Sequence, residues 1–105
     1  MKKIKIFHRI GKRKFAENKD IGQHIRINDI MPQLETGKEI ILDFENIDRA
    51  SQSFIHSLIS DAIRKYGADK TLDLVVFKSC NEHVRGIIAI VVEYMQDAML
   101  KEKES

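Results

Sequence analysis

Residues 39–66, EIILDFENIDRASQSFIHSLISDAIRKY, set a strand just ahead of an amphipathic helix, and this pairing limits the fold more than any other stretch. Ile40, Ile41 and Leu42 run into Asp43-Phe44 as a nearly continuous apolar run. Such a run suits a strand covered on both faces in a mostly parallel sheet. Polar residues crowd from Glu45 to Ser53, where the strand should end and the helix begin. Phe54, Ile55, Leu58, Ile59, Ala62, Ile63 and Tyr66 then recur at helical spacing as one apolar stripe. Gly67 supplies the stop, and Ser51 or Ser53 is the natural N-cap, with a hydroxyl oxygen free to accept from a first-turn amide.

Upstream, Lys3 to His8 alternates charged and apolar residues and predicts a half-exposed strand. A short second strand over Arg13 to Ala16 is weakly signalled, after a turn at Gly11. Asn18 to Thr36 reads as helical, with Asn18 as cap and Ile21, Ile25, Ile27, Met31 and Leu34 as its apolar residues. Pro32 removes an amide inside that stretch, so a kink or two segments meeting near 28–32 is expected. Downstream, Ala68 to Thr71 reads as a loop and Leu72 to Phe77 as a central strand. Ser79 and Glu82 have capping-box spacing ahead of a last helix from Asn81 to about residue 101. Its core stripe is Val84, Ile87, Ile88, Val91, Met95 and Met99, and Ile90 and Val92 widen the apolar face. That width predicts a contact along this helix, with a second copy or a partner. Strands alternating with helices imply an α/β fold: a small, mixed or mostly parallel sheet of about four strands with three helices packed on it. Partners of such sheets gather beyond the carboxyl ends of the strands, here the rim formed by Glu45–Ser53 and Lys78–Asn81.

The 105 residues fit a single domain spanning 1–105. No apolar run approaches the ~18 residues of a membrane-spanning helix, and no secretion signal is read at the start. Cys80 is the only cysteine, so no intramolecular disulfide forms, and the expected compartment is the reducing cytoplasm. The net charge of +2 conceals an asymmetry. Residues 1–14 hold seven Lys/Arg and no acid, leaving 11 Lys/Arg against 16 Asp/Glu in the rest, a formal −5. The basic segment Lys2–Lys14 offers a second functional reading, binding of nucleic acid or an anionic ligand. Without a nucleic-acid motif that reading ranks second.

The stretch Ile41-Leu42-Asp43-Phe44, then Ile47, then Ser51-Gln52-Ser53-Phe54 and Leu58 resembles the STAS domains, the fold of bacterial anti-sigma-factor antagonists. It is most similar to a divergent STAS-like group of unassigned function, which carries a Ser-Phe at this turn, as Ser53-Phe54 does here. Arg13, Gly22 and Arg26 also sit where that group often has an Arg and a Gly-containing helix. The resemblance implies a regulatory module that binds another protein, an ATPase or kinase of the anti-sigma type. Counted without gaps from Asp43, the antagonists' phospho-acceptor serine falls on Gln52, which cannot be phosphorylated. Ser51 and Ser53 flank it and are the substitute phosphorylation candidates, since a phosphate is tolerated at a helix N-terminus.

The expected partner-binding residues are therefore Asp48, Ser51, Gln52, Ser53, Ser79 and Asn81. No catalytic set, cofactor motif or metal-ligand spacing is apparent. Cys80 and His83 lie three apart where a helix N-terminus would lower the thiol pKa, but no third group orients them. His8, His24, His56 and His83 are scattered, and Asp43, Asp48 and Lys78 lack the adjacent acids of a phosphoryl-accepting receiver site.

Overall fold

In the computed structural model, which describes residues 2–104 and the side chains of residues 2–100, three short strands form a parallel sheet. They are β1 (Lys2–Lys5), β3 (Ile40–Asp43) and β5 (Val75–Lys78), in the order β1-β3-β5. A two-residue parallel pair, β2 (Phe15–Ala16) with β4 (Arg49–Ala50), lies apart from that sheet. The α/β class and the parallel sheet are as expected, but the described residues form five strands, split three and two with every pairing parallel, rather than about four, and six short or long α-helical segments rather than three.

The register aligns Ile4, Leu42 and Phe77 in one row, and Lys5, Asp43 and Lys78 in the next. Alternation therefore turns Ile4, Ile40, Leu42 and Val75 to one face, where all four are buried in the core. The opposite face presents Lys3, Lys5 and Lys78 exposed, with Ile41 and Val76 half-buried. The expectation that the Ile40–Phe44 strand is covered on both faces is thus corrected. The strand reads as nearly continuously apolar because Ile41 fills the outer row with only partial cover, next to Asp43, which is buried through its pairing with Lys3.

Helix α4 (Gln52–Tyr66) is the centre of the packing, between α2 (Lys19–Ile25) and α6 (Glu82–Glu104). Phe54, Ile55, Leu58, Ile59, Ala62 and Ile63 are all fully buried, as the stripe predicts. Gly67, with φ +87°, ends the helix in a conformation that glycine adopts without strain. The approach of α2 is close: a Cβ on Gly22 would lie 1.9 Å from Ser57 Oγ. Between α2 and α3 (Met31–Glu35), residues Arg26–Ile30 form a π-helical turn. Met31 donates to the carbonyl of Arg26, five residues back, and the widened turn accommodates the Pro32 ring at the head of α3. The expected irregularity near 28–32 takes this form. It also rotates Ile27 outward, leaving that side chain 57 % exposed rather than on the apolar face.

Three local expectations are corrected. The first strand stops at Lys5, and Ile6–Arg9 forms a single helical turn, α1, because Ile6 and Ile10 are buried at i,i+4 spacing. Ala68–Leu74 is not loop and strand but helix α5; Ala68 and Thr71 are buried on its inner side while Leu72 is exposed, so β5 begins only at Val75. Ser79 does not cap the last helix. It adopts φ +59°, and Asn81 caps instead, its Oδ1 accepting from the Val84 amide at 2.9 Å.

Candidate functional site: a stapled rim

The end of the sheet beyond β3 and β5 is held together by hydrogen bonds far apart in sequence. Asn81 Nδ2 donates to the Asp48 carbonyl at 2.9 Å and to that of Ile47 at 3.4 Å, which joins the loop before α6 to the loop after β3. With Oδ1 on the Val84 amide, the Asn81 side chain is spent on structure. On the other side, the Lys14 carbonyl accepts from the Asp48 and Arg49 amides at 2.8 and 3.2 Å, and the Ala16 carbonyl accepts from the Ser51 amide at 2.9 Å. These bonds and the β2–β4 pair fasten the basic loop Lys12–Lys14 against the turn that opens α4.

The turn itself divides its polar residues by role. Ser51 is the cap, its Oγ accepting from the Phe54 amide at 3.1 Å. Gln52 and Ser53 occupy the first turn, exposed. Among the described residues neither side chain makes an intrachain hydrogen bond. Phe15 and Arg49 are register partners beside them: the Arg49 guanidinium carbon stands 5.5 Å from the Phe15 ring centroid, and Phe15 is 41 % exposed. Gln52 and Ser53 also border a groove with His56, Ile90, Val91 and Tyr94. Of the residues expected at the site, Asp48, Ser51, Gln52, Ser53 and Asn81 are brought to this rim. Ser79 instead borders a separate depression with Phe77, Cys80, Arg85 and Ile88. Neither Phe15 nor Arg49 stands out in the sequence, where Arg49 falls within the polar stretch 45–53 and Phe15 within a weakly signalled strand.

The basic segment is not one patch. Lys2 and Arg9 both pair with Asp29, at 2.9 and 2.7 Å, and Lys3 with Asp43 at 3.3 Å. Burial pushes the Asp29 carboxyl up, but hydrogen bonds and charge from Arg9 and Lys2 outweigh it and hold the group below the usual carboxylate range. Asp43 behaves alike: burial raises it, while the Glu45 amide, Lys3 and Lys78 together bring it lower. Among the described residues Lys5, Lys12, Arg13 and Lys14 have no ion-pair partner. The last three of these lead directly into Phe15, and the Lys14 carbonyl accepts from the Arg49 amide. Cys80 departs from expectation, because half-burial pushes its thiol up and Arg85 only partly offsets it. No group of three metal-ligating side chains gathers among the described residues, and none of their helices is long and apolar enough to cross a membrane.

A family model described as a STAS-like domain of unknown function (DUF4325) matches residues 22–85. The chain belongs to that STAS-like family. No curated protein and no solved structure matches it. The matched segment of the STAS-like domain runs from Gly22, at the α2–α4 contact, to Arg85 in the first turn of α6. It contains Gln52, Ser53, Arg49 and Asn81, whereas the basic loop with Phe15 and most of α6 lie outside it.

Proposed function

We propose that this STAS-like domain is a non-enzymatic regulatory module that docks a partner protein over the stapled rim. The contact residues are Phe15, Arg49, Asp48, Gln52 and Ser53. The observation that carries the reading is the Phe15–Arg49 pair, exposed and held in register beside the free first turn of α4. Aromatic and Arg side chains anchor protein interfaces more often than other residues, and pre-positioned ones lose little freedom on binding. Lys12, Arg13, Lys14 and Arg49 at this end favour an acidic partner surface. The resemblance to anti-sigma-factor antagonists makes an ATPase or kinase of that type the expected partner. Of the two candidate serines, Ser53 is the better phosphate acceptor, since Ser51 Oγ is engaged as the cap and Ser53 is exposed and unbonded. A phosphate there would sit at the positive end of α4.

Affinity capture from native lysate tests this, comparing wild type with Gln52→Asp/Ser53→Asp and with Phe15→Ala/Arg49→Ala. The expected result is one nucleotide-binding protein retained by wild type and lost from both variants. Equal retention by all three baits refutes the docking site. Recovery of nucleic acid with steep salt dependence instead moves the function to the basic loop, a reading that the exposed Phe15 among cations keeps open.

A further inference from the structure

Helix α6 carries an outward face that the fold covers only at one edge, where the Tyr94 ring stands 6.4 Å from that of His56 on α4. Ile90 is 47 % exposed and Tyr94 64 % exposed, each large and apolar over most of its surface. At about 100° per residue, His83, Gly86, Tyr94 and Asp97 all fall within about 40° of Ile90 around the helix. All are exposed. Gly86 has no intrachain explanation: a Cβ added there meets nothing within 4 Å, yet glycine inside a helix is among the least favourable residues.

The sequence around Ile90 is complementary to itself when reversed. Four residues to either side stand Gly86 and Tyr94; seven to either side stand His83 and Asp97. We propose that a second copy of this chain packs its α6 antiparallel on this one, about a two-fold axis at Ile90. Such an isologous contact sets each residue against its mirror position. Ile90 meets Ile90 on the axis. Tyr94 comes to the level of Gly86 of the second copy, where the missing side chain leaves room for the ring. His83 comes to the level of Asp97, an imidazole donor opposite a carboxylate. The exposure of Ile90 and Tyr94 and the unexplained Gly86 are then one feature, whereas Val92, about 200° away around the helix, packs against the core instead.

This goes beyond the docking reading: Ile90 and Tyr94 border the same groove as Gln52 and Ser53, but the substitutions that test the dimer avoid Phe15, Arg49, Gln52 and Ser53, so the two readings fail separately. Sedimentation velocity of the full chain across the micromolar range is expected to give a reversible dimer. Ile90→Glu places two carboxylates at the axis and Gly86→Leu fills the seat of Tyr94. Both are expected to give monomers with unchanged circular dichroism, since both positions are exposed. His83→Asp is expected to weaken the dimer at least about tenfold, and adding Asp97→His to restore it. A wild-type chain that stays monomeric throughout, or a dimer indifferent to both Ile90→Glu and Gly86→Leu, overturns the proposal.

Discussion

Gly22 and Ser57 set the distance between α2 and α4, and only the absence of a side chain at 22 allows it. Gly22→Ala is expected to lower stability by about 1–3 kcal/mol, as overpacking does, and Ser57→Ala in the same chain to recover part of that, because it removes the nearest atom. Thermal melts of the two single variants and the double variant measure the coupling. Asn81 is the other residue on which geometry rests. Asn81→Ala removes a helix cap and the bridge to residues 47 and 48, with an expected loss of about 1–2 kcal/mol, whereas Ser79→Ala is expected to be near neutral. If Ser79→Ala proves the costlier of the two, the capping assignment is wrong. Cys80 is expected to react with a disulfide reagent at neutral pH more slowly than a free cysteine, because burial disfavours its thiolate.

Among the elements, α4 and β3 were legible in the sequence because their apolar residues, Ile41 apart, face the one core, at a single spacing in α4 and as an almost continuous run in β3. The helical turns at 6–9 and 68–74 were not. Ile4 and Ile6 fit alternation as well as Ile6 and Ile10 fit a helical turn, and Leu72 and Leu74 imitate a strand while Ala68 and Thr71 face the core. The capping box at Ser79 failed for a related reason: Asn81 offers both an acceptor and a donor, and the loop beside it needs the donor. The docking turn was legible as residues but not as a surface, since the β2–β4 pair and the Lys14–Asp48 bond join segments about thirty residues apart. This pairing has its own signature in amide hydrogen exchange. The Asp48 and Ser51 amides, bonded to the carbonyls of Lys14 and Ala16, are expected to exchange more slowly than those of Gln52 and Ser53 in the free first turn. Uniform fast exchange over 48–53 would contradict the staple.

At the scale of the molecule, Asp29 ties β1 and α1 to the π-helical turn, and Asp43 ties β3 to β1. Both carboxyls lie lower in the fold than in an unfolded chain. Folding therefore binds fewer protons, so their stabilisation is complete above the ordinary carboxylate value of about 4 and is lost as pH falls below it. Urea titrations at a series of acidic pH values are expected to show that loss, with a smaller slope in Asp29→Asn. An Asp29→Asn slope equal to that of wild type would remove Asp29 as a cause. The central claim is that the sheet end built by Phe15, Arg49 and the first turn of α4 is where a partner sits. The measurement that tests it most directly is amide exchange of the domain with and without the captured partner. Added protection over residues 12–16 and 49–54, with none on the open sheet face at Lys3, Lys5 and Lys78, is the expected result. Protection confined to that sheet face, or to α6, would contradict it.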